Sequence, residues 1–564
     1  MSDSPEDLGV DFDVVVIGAG ISGLVAAREL ETRSPKTRIL ILEAKDRVGG
    51  RTLGVEMKTA KYTKEYFDLG GQWVGRTQRH ILGLLDELDF KTYEQYEDGD
   101  KIAQMGVSKP RKYSSKLPVT SLRQFTIFEI FDSIASFAKL TWLTRFINPF
   151  DYFSSKKSTN LDDMSVSKWS RENCWTRANQ DAIDIATRSI FGVEPNRMSM
   201  LYNLVVAQSA GNYLNLCECV GDGAQALKIN GGAFQVAQNL AGNLENIRLE
   251  HAVSEIIVDE QTGITCIKGI DLKNNQVFTF KCLHVISAIP PNQCGKIQWT
   301  PSLPDLKRRL FDGCMQGNLI KFVVTFEVPF WKTNGLSGEI VSTGRTPNIG
   351  EVHPIICTYD GTTAIGAPAI IGFMNEEYAD KPFNERCNAV VNDLIRFMGD
   401  DALRHFLDYK DKIWAHEQYN GGCPSIYVPP GQMDAYQYIR QPFYNVHFAG
   451  TESATEWIGY MSGAVQSGYR SAHEVLQCME KFDKVTYEHL KGTIYDQEYC
   501  PPKLPSNIYD ETRSPWWRRL FFMSGLLFGI YAYSRHYRLS IVARTVKPIE
   551  NRLVKYFFDV DWPE

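Results

Sequence analysis

The chain has 564 residues, which exceeds what one hydrophobic core usually accommodates, so two or more domains are expected. Apolar residues make up 43% of the sequence and charged residues 23%, a balance typical of a globular rather than a disordered protein. The net charge of −6 is small, and no stripe of basic residues interleaved with aromatic residues is present, so no nucleic-acid partner is predicted.

The cysteines and the N-terminus indicate a reducing environment. The twelve cysteines are scattered, with no CxxC pair and no Cys/His spacing of the zinc-site kind, so the sequence predicts no metal site. The N-terminus, MSDSPEDLGV, resembles neither a secretory signal nor an Arg-rich presequence. We therefore expect the thiols to stay unpaired.

The first predicted element is a βαβ unit in DFDVVVIGAGISGLVAARELE and the following RILILEA. The apolar run VVVI is typical of a buried parallel strand, and a helical pattern follows it. Between them, Gly18, Gly20 and Gly23 have the spacing that permits a tight turn, close approach to a pyrophosphate, and packing of the helix on the strand. Glu43 follows at the distance of an acid that binds the adenosine ribose and disfavours NADP. These features predict a dinucleotide site.

Two further glycine-rich segments, EAKDRVGGRT and DLGGQWVG, follow this fingerprint. Arg51 in the first can neutralise phosphate, and the paired glycines in both permit a close approach of the backbone to a ligand. A large cofactor enclosed on several sides accounts for such a density of glycine turns, which favours FAD over a diffusing NAD. The alternative is that both segments are surface turns.

The rest of the chain predicts a second domain. Residues 88–213 contain helical patterns such as SIASFAKLTWL, whereas LIKFVVTF and AIIGFM predict strands and CNAVVNDLIRFM a helix. NVHFAG predicts another buried strand, and YMSGAVQSGYRSAHEVL a closing helix. We therefore expect a mixed α/β (α+β) fold, a Rossmann-like FAD-binding domain interrupted by a substrate-binding domain. The predicted segments are 10–87, 214–288 and 415–478 for the FAD-binding domain, 88–213 (helical) and 289–414 for the substrate-binding domain, and 479–564 for a C-terminal tail.

Six blocks of the sequence together resemble the flavin-containing monoamine oxidases. They are VVVIGAGISGL, LEAKDRVGGRT, DLGGQWVGRTQ, EQYNGGC, FAGTESAT and GYMSGAV, in the family's order. The resemblance runs from Asp13 to about Leu476, and the first two blocks singly are shared with many FAD-dependent amine oxidases and desaturases. It implies FAD as cofactor, an amine and dioxygen as small-molecule substrates, and a homodimer as a candidate assembly.

Cys423 lies in EQYNGGCPSIY, behind two glycines and ahead of a proline. By residue type it is a buried thiol, a metal ligand, a disulfide partner or a point of covalent attachment, and a free cysteine is by default a small buried hydrophobe. In the family this cysteine forms a thioether with the 8α-methyl group of the flavin. The resemblance therefore implies that Cys423 holds FAD covalently, with Gly421 and Gly422 letting the backbone lie against the ring.

The residue after this cysteine departs from the family pattern. The family has a tyrosine there, joined by a cis peptide bond and forming one wall of an aromatic cage, whereas this chain has Pro424. Proline favours the cis form more than other residues do, so the backbone shape is expected to persist without the ring. Tyr460 is implied as the other wall, and Tyr419, Tyr427 and Trp457 are candidates to compensate.

The resemblance also implies roles for individual residues. Lys296, in IPPNQCGKIQW, is the candidate for a lysine that holds a water beside the flavin and assists reoxidation; the alternative is a solvated surface lysine. Trp414 is implied to pack against the flavin, with a core tryptophan as the alternative, and Glu452 to meet the ribityl–phosphate region. The candidates are Lys296, Tyr460, Trp414 and Tyr419 as catalytic residues; Gly18, Gly20, Ser22, Gly23, Glu43, Arg51, Gly71, Gln72, Trp73, Val253, Cys423, Glu452 and Met461 for the cofactor; and Gln208, Tyr460 and Pro424 for the substrate.

The activity implied by the resemblance is oxidation of an amine to an imine and then an aldehyde, with dioxygen reduced to hydrogen peroxide. An apolar cavity would favour the neutral amine, since burial disfavours the charged form. Two alternatives remain. One is a flavin oxidoreductase of the same fold acting on a non-amine substrate, as desaturases do, which Pro424 supports. The other is a flavin-bound scaffold without turnover.

The C-terminal tail contains SPWWRRLFFMSGLLFGIYAYSRHYR. Its uninterrupted apolar part, Leu520 to Tyr533, is shorter than the roughly 20 residues of a full span, but aromatic residues bound it as they do at membrane interfaces. We predict a membrane helix at about 515–534, and the alternative is a helix lying in the interface. By resemblance, this single anchor would hold the protein in the mitochondrial outer membrane with its body facing the cytosol.

Overall fold

The computed structural model describes residues 9–60, 63–105, 109–114, 125–345 and 350–501. Its strands are β1 (Phe12–Ile17), β2 (Ile39–Leu42), β3 (Gly54–Lys58), β4 (Lys64–Asp68), β5 (Trp73–Val74), β6 (Thr92–Glu94), β7 (Asp100–Gln104), β8 (Arg111–Tyr113), β9 (Leu227–Ile229), β10 (Ile247–Arg248), β11 (His251–Val258), β12 (Thr265–Asp271), β13 (Gln276–Ser287), β14 (Gln298–Thr300), β15 (Met315–Gln316), β16 (Ile320–Phe326), β17 (Leu336–Ser342), β18 (Ile355–Asp360), β19 (Ala369–Met374), β20 (Phe406–Ile413), β21 (Ile426–Tyr427) and β22 (Val446–Phe448).

The helices complete the list of elements. They are α1 (Ile21–Arg33), α2 (Arg79–Glu87), α3 (Ile127–Thr144), α4 (Ser158–Asp162), α5 (Val166–Asn173), α6 (Arg177–Phe191), α7 (Met200–Ser209), α8 (Tyr213–Cys217), α9 (Phe234–Gly242), α10 (Pro291–Cys294), α11 (Asp305–Gly313), α12 (Phe330–Thr333), α13 (Phe383–Met398), α14 (Asp401–Arg404), α15 (Met433–Tyr436) and α16 (Met461–Cys478). Short 3-10 turns occur at Glu376–Tyr378, Trp414–His416, Thr451–Ser453, Phe482–Lys484 and Tyr487–Leu490.

The predicted βαβ unit forms the middle of an eight-stranded sheet. The strand order is β10-β2-β1-β13-β12-β11-β14, and β22 also pairs with β13. Strand β1 is parallel to both β2 and β13, so the glycine turn after β1 lies at the carboxyl edge of the parallel strands. Helix α1 buries Leu24, Ala27 and Leu30, the residues predicted from their spacing, and packs against β1, β2 and α16. The predicted FAD-binding architecture is therefore present.

A second, seven-stranded sheet has the order β20-β16-β19-β18-β17-β7-β8. Its strand β16, the predicted LIKFVVTF, lies between β20 and β19 and is buried at every position because the sheet is covered on both faces. Helix α13, the predicted CNAVVNDLIRFM, buries Val390 and Leu394 in the same apolar core as Phe322 and Val324 of β16. The predicted mixture of strands and helix after residue 297 is confirmed.

The segment predicted to be helical, 88–213, begins with strands instead. Strand β7 lies parallel to β17, and β8 extends that sheet at its edge. Runs of three to five residues are too short for periodicity to distinguish strand from helix, so the neighbouring strand decides. Similarly, β14 joins β11 in the first sheet although the sequence places it in the second domain.

Helices α3 to α8 form a helical layer that shares one apolar core with residues of the first sheet, and α3 begins with a capping box between Thr126 and Glu129. Within the described residues, we find no helix with both the length and the apolar character needed to cross a bilayer. The helix predicted at about 515–534 lies outside the described residues.

Candidate active site

One cavity of about 760 Å³ is lined by residues of both sheets and of the helical layer. Its size is that of sites that enclose a cofactor or a drug-sized ligand. The predicted site residues that line it are Gly18, Gly20, Ser22, Glu43, Arg51, Gly71, Gln72, Trp73, Val253, Lys296, Trp414, Tyr419, Cys423, Pro424, Tyr460 and Met461. The fold therefore brings most of the sequence-predicted residues to one continuous space.

Each of the three fingerprint positions is glycine for a different physical reason. Gly18 has a φ of +101°, a conformation that favours glycine, and it forms the turn after β1. At Gly23 a Cβ atom would lie 2.0 Å from the carbonyl oxygen of Gly18, so only glycine lets α1 pack there. At Gly20 a Cβ would meet no described atom within 4 Å, and this residue lines the cavity. The free space at Gly20 is where a ligand's phosphate would approach the backbone.

Glu43 is held at the end of β2 by two backbone groups. The N–H of Ala19 donates to its Oε2 at 2.8 Å, and the N–H of Lys45 donates to its Oε1 at 3.0 Å. Burial raises the pKa of Glu43, and these two hydrogen bonds oppose that effect. The carboxylate is thus fixed at the cavity wall with acceptor capacity to spare, as ribose hydroxyl binding requires.

Arg51 links its own loop to two later segments of the chain, those of Pro424 and Glu452. Its Nη1 donates to the carbonyl oxygen of Pro424 at 2.9 Å and to Glu452 Oε1 at 2.5 Å, while Nη2 donates to Glu452 Oε2 at 3.0 Å. Ser425 Oγ also donates to Glu452, at 3.2 Å. Burial alone would raise the pKa of Glu452, but the adjacent guanidinium holds it below its usual range. Glu452 therefore lies behind Arg51, outside the set of residues lining the cavity.

Cys423 is fixed at the cavity wall by its backbone. Its N–H donates to Gly317 at 2.8 Å, and its carbonyl accepts from Leu319 at 3.1 Å. A Cβ at Gly422 would lie 2.2 Å from the carbonyl oxygen of Gly317, so that glycine is required by protein packing rather than by a ligand. The Cys423–Pro424 peptide bond is cis, the geometry predicted from the sequence.

The Cys423 thiol is largely sheltered from water, with 8% of the residue exposed. Burial raises the pKa of this thiol to about 12, so the unmodified group is protonated at neutral pH. All twelve cysteines lie within the described residues and are free thiols, which excludes the disulfide alternative for Cys423. Cys217 and Cys357 also line the cavity.

Aromatic side chains form part of the same wall. Trp414 is buried, and its indole N–H donates to the carbonyl oxygen of Leu69 at 2.9 Å. Tyr460 contacts Trp457 edge to face, with ring centroids 5.1 Å apart, and burial raises the pKa of its hydroxyl. Tyr419 is 37% exposed, at the outside of the cavity. Tyr460, supported by Trp457 behind it, is therefore better placed than Tyr419 to form a fixed aromatic wall.

Lys296 and Lys321 occupy contrasting positions. Lys296 is exposed and lines the cavity, and its predicted role beside the cofactor stays a prediction. Lys321, by contrast, is 2% exposed on β16, and its Nζ donates to the carbonyl oxygen of Gly70 and to Gln72 Oε1, both at 2.8 Å. Burial lowers the pKa of Lys321 to about 8, against the opposing attraction of Asp68.

Sequence reasoning missed Lys321 because it lies inside a strand and carries no local motif. The available signal was a charged residue within the apolar run of LIKFVVTF. A lysine is rarely buried without a partner or a function, so this position was a candidate site residue.

The remaining predicted residues differ in whether they line the cavity. Ser22 Oγ accepts from the N–H of Gly450 at 2.9 Å and also contacts Ser467 Oγ. Met461 and Ala464, in the first turn of α16, line the cavity, so the partial positive charge of that helix end faces it. Gln208, on α7, is half-buried, and it is absent from the described lining residues.

These residues fit FAD. The pyrophosphate would meet the open backbone at Gly20 and the start of α1, and the ribose would meet Glu43. The ring system would lie among Cys423, Trp414 and Tyr460, which line the same space. The free space at Gly20 and the spare acceptor capacity of Glu43 support this fit.

Comparison with known proteins places the chain in a flavoprotein family. The family model "flavin containing amine oxidoreductase" matches residues 21–476. The chain is 32% identical to amine oxidase [flavin-containing] A of Equus caballus over 533 residues, covering 92% of this chain and 93% of that one. It is 31% identical to the probable flavin-containing monoamine oxidase A of Dictyostelium discoideum over 474 residues, covering 82% and 97%. The solved cyclohexylamine oxidase of Brevibacterium oxydans matches with a TM-score of 0.74 at 25% identity, covering 83% of this chain and 100% of that chain.

The fold and the site define an FAD-dependent enzyme that oxidises amines. The chain belongs to the family of flavin-containing amine oxidoreductases and resembles the monoamine oxidases within it. The alternatives of a non-amine substrate and of a scaffold without turnover are not favoured by these relatives.

Proposed function

We propose that this amine oxidase carries FAD covalently through Cys423 and uses dioxygen as electron acceptor, releasing hydrogen peroxide. The observation that carries the proposal is that the Cys423 thiol lines the same continuous cavity as Gly20 and Glu43. When bound, FAD supplies the two-electron oxidation of the C–H bond beside the amine nitrogen.

The chain prepares the substrate by excluding water. The cavity lining includes apolar and aromatic side chains such as Phe137, Ile190 and Leu216. Burial there favours the neutral amine, whose lone pair is needed for oxidation. Tyr460 is held edge to face by Trp457 and presents a fixed aromatic surface that orients the amine. Pro424 opposite leaves more room than a tyrosine would.

Lys321, rather than Lys296, is the residue that we propose to hold a proton beside the cofactor. Its ammonium is positioned by Gly70 and Gln72, which accept two of its three N–H groups. The third N–H is left for a water or a ligand group in the cavity. With a pKa of about 8, this ammonium gives up a proton more readily than an exposed lysine does.

The test of the covalent link compares the full wild-type chain with two cysteine variants. After unfolding in acid, the yellow chromophore should stay with the wild-type chain and with Cys357→Ala, whose thiol also lines the cavity. It should separate from Cys423→Ala. Mass spectrometry of proteolytic fragments should place the added mass on the Cys423 peptide.

Release of all chromophore from the unfolded wild type would contradict the tether without contradicting amine oxidation. Amine oxidation itself is tested by peroxide production across a panel of primary and secondary amines. A fully flavin-loaded protein that produces no peroxide with any of them would contradict that part of the proposal.

We further propose that the tail attaches the enzyme to a membrane, with the mitochondrial outer membrane as the expected site and the body facing the cytosol. The support is the apolar run from Leu520 to Tyr533 with aromatic residues at its ends. Carbonate extraction should leave the whole chain in the membrane fraction and release a chain ending at residue 501. Sedimentation of the detergent-solubilised enzyme tests the homodimer expected from the resemblance.

A further inference from the structure

Two histidines lie side by side on one face of the eight-stranded sheet. Strands β13 and β22 are parallel, with Ile286 paired to His447. Because side chains alternate along a strand, His284 lies on the same face as Ile286, and therefore on the same face as His447. The two imidazole rings have centroids 6.2 Å apart.

The end of helix α16 brings a cysteine to this pair. The last residue of the helix is Cys478, whose Sγ lies 3.9 Å from His447 Nε2 and 3.1 Å from the Tyr495 hydroxyl. One ligand atom each from His284, His447 and Cys478 lie within 4.8 Å of one another. In a tetrahedral zinc site, a nitrogen and a sulfur ligand lie about 3.5 Å apart, so small movements would complete the geometry.

A buried carboxylate orients His447. The Glu474 side chain contacts His447 Nδ1 through Oε2 at 2.9 Å, and its Oε1 accepts from Arg470 at 2.6 Å. Both His447 and Glu474 are fully buried, so this contact fixes the ring and turns Nε2 toward Cys478. Metal-binding histidines commonly have their second ring nitrogen held by a carboxylate in this way.

One ring nitrogen of His284 lacks a hydrogen-bond partner among the described residues. Its Nδ1 is buried and makes no hydrogen bond to any residue that the structure describes. Buried polar atoms are nearly always paired, and an exception indicates an unobserved water or ion. Because His284 belongs to a cluster of metal-ligating side chains, an ion is the partner that the surroundings of this residue favour.

A second group, Glu97, Cys219 and Glu339, has a similar spacing of ligand atoms. There, however, the Lys101 ammonium already lies 2.7 Å from Glu97 and 2.6 Å from Glu339. A protein cation occupies the place that a metal would take, so this group is a lysine ion-pair cluster.

We propose that His284, His447 and Cys478 bind a zinc ion, with water or the Tyr495 hydroxyl as fourth ligand. Two imidazoles and a thiolate are ligands that zinc prefers. Cys478 is exposed, which gives the ion a path from solvent, and on binding the thiol proton passes to solvent. None of the three residues is among those described as lining the active-site cavity, so the site is structural: it ties the end of α16 to the sheet.

The test uses the full-length holoenzyme, first treated with a chelator and dialysed, and zinc ion alone as the probe. Equilibrium dialysis should give one bound zinc per chain. Cys478→Ser and His284→Gln should weaken binding by about tenfold or more, whereas Cys500→Ser, which changes another exposed cysteine, should not. Flavin absorbance of each variant checks that the fold is intact.

Alkylation provides a second readout. Zinc should slow modification of Cys478 in the wild type and leave the rate at Cys500 unchanged. The proposal is overturned if the wild type binds no more zinc than Cys478→Ser, or if zinc leaves Cys478 as reactive as before. Because amine oxidation does not pass through this site, activity would be retained in either case.

Discussion

Arg51 and Glu452 form a bidentate ion pair, although they lie 401 residues apart in the chain. The two nitrogen–oxygen distances are 2.5 and 3.0 Å. The pair joins the loop after the first βαβ unit to the turn that precedes α16. Through its hydrogen bond to the Pro424 carbonyl, Arg51 also fixes the segment that carries Cys423. The position of the thiol in the cavity therefore depends on a contact that does not involve the cysteine itself.

Glu452→Gln should destabilise the protein through this contact. The substitution keeps the shape of the side chain but leaves the Arg51 charge largely buried without its partner, which typically costs about 3 kcal/mol. Arg51 retains partial exposure, so we expect a value at the lower end of what such losses produce. Urea unfolding at pH 7 measures the change in the free energy of unfolding.

Arg308→Gln is the matched control, since it breaks an ion pair with Asp305 in which both side chains are more than half exposed. Exposed pairs contribute little to stability, so this variant should unfold close to the wild type. Equal unfolding free energies for the Glu452 and Arg308 variants would contradict the role assigned to the buried pair.

Gly20→Ala should separate cofactor binding from folding. Its φ of −73° is accessible to alanine, and the added Cβ meets no described atom, so the chain should fold. The methyl group would nevertheless project where the pyrophosphate approaches, and we expect flavin incorporation to fall by at least about tenfold, because backbone approach is what this position supplies. The ratio of flavin to protein absorbance measures the loss.

Gly83→Ala provides the contrast. Gly83 lies exposed within α2, where a Cβ also meets no described atom, and alanine stabilises a helix interior by about 1 kcal/mol relative to glycine. This variant should have a raised thermal midpoint and an unchanged flavin content. Full flavin incorporation by Gly20→Ala would contradict the prediction that a phosphate of the cofactor approaches the backbone at Gly20.

The sequence predicted most residues at the nucleotide-binding end of the cavity, because the constraints on those residues are local. Gly18, Gly23 and Glu43 lie within one βαβ unit, and their spacing reflects turn geometry and helix packing that any such unit requires. The long helix α13 and the buried strand β16 were likewise visible from periodicity. Periodicity failed where strands of three to five residues take their conformation from a neighbour, as in β7 and β8.

The far end of the cavity was less predictable, since its contacts join distant parts of the chain. Glu452 was expected at the ribityl–phosphate region, but it lies behind Arg51. Lys296 was assigned from a block after a double proline, whereas Lys321, a buried lysine inside β16 that lines the same cavity, was missed. Such pairings depend on how two sheets meet, which no local pattern encodes.

Lys321→Met should change how stability depends on pH. Burial lowers the pKa of Lys321 from 10.5 to about 8, so between these values the unfolded chain binds a proton that the folded chain has lost. The contribution of Lys321 to the free energy of unfolding therefore rises with pH across that window. Below a pH of about 8, the burial of the charged lysine destabilises the protein by its full amount. The difference in unfolding free energy between wild type and variant should move in favour of the wild type by roughly 2–3 kcal/mol from pH 7 to pH 10.

Lys228 and Lys307 are two other buried lysines with lowered pKa values. Both are present in the wild type and in Lys321→Met, so their contributions cancel in the difference between the two proteins. Lys296→Met, which changes an exposed lysine that lines the same cavity, is the matched control. In rapid-mixing experiments, reoxidation of the reduced enzyme by dioxygen should slow in Lys321→Met and not in Lys296→Met. The reverse pattern would restore the role first predicted for Lys296.

Pro424→Tyr tests how the missing aromatic wall shapes substrate choice. Pro424 faces the cavity, while its carbonyl is held by Arg51, so the side chain can change without losing that backbone contact. A tyrosine there would narrow the cavity that Tyr460 also lines, and bulky or secondary amines should show a raised KM while small primary amines keep theirs. Pro430→Tyr, seven residues from Cys423 and absent from the described cavity lining, controls for the added ring. If the wild type and Pro424→Tyr have the same KM values across the amine panel, the open wall has no part in specificity.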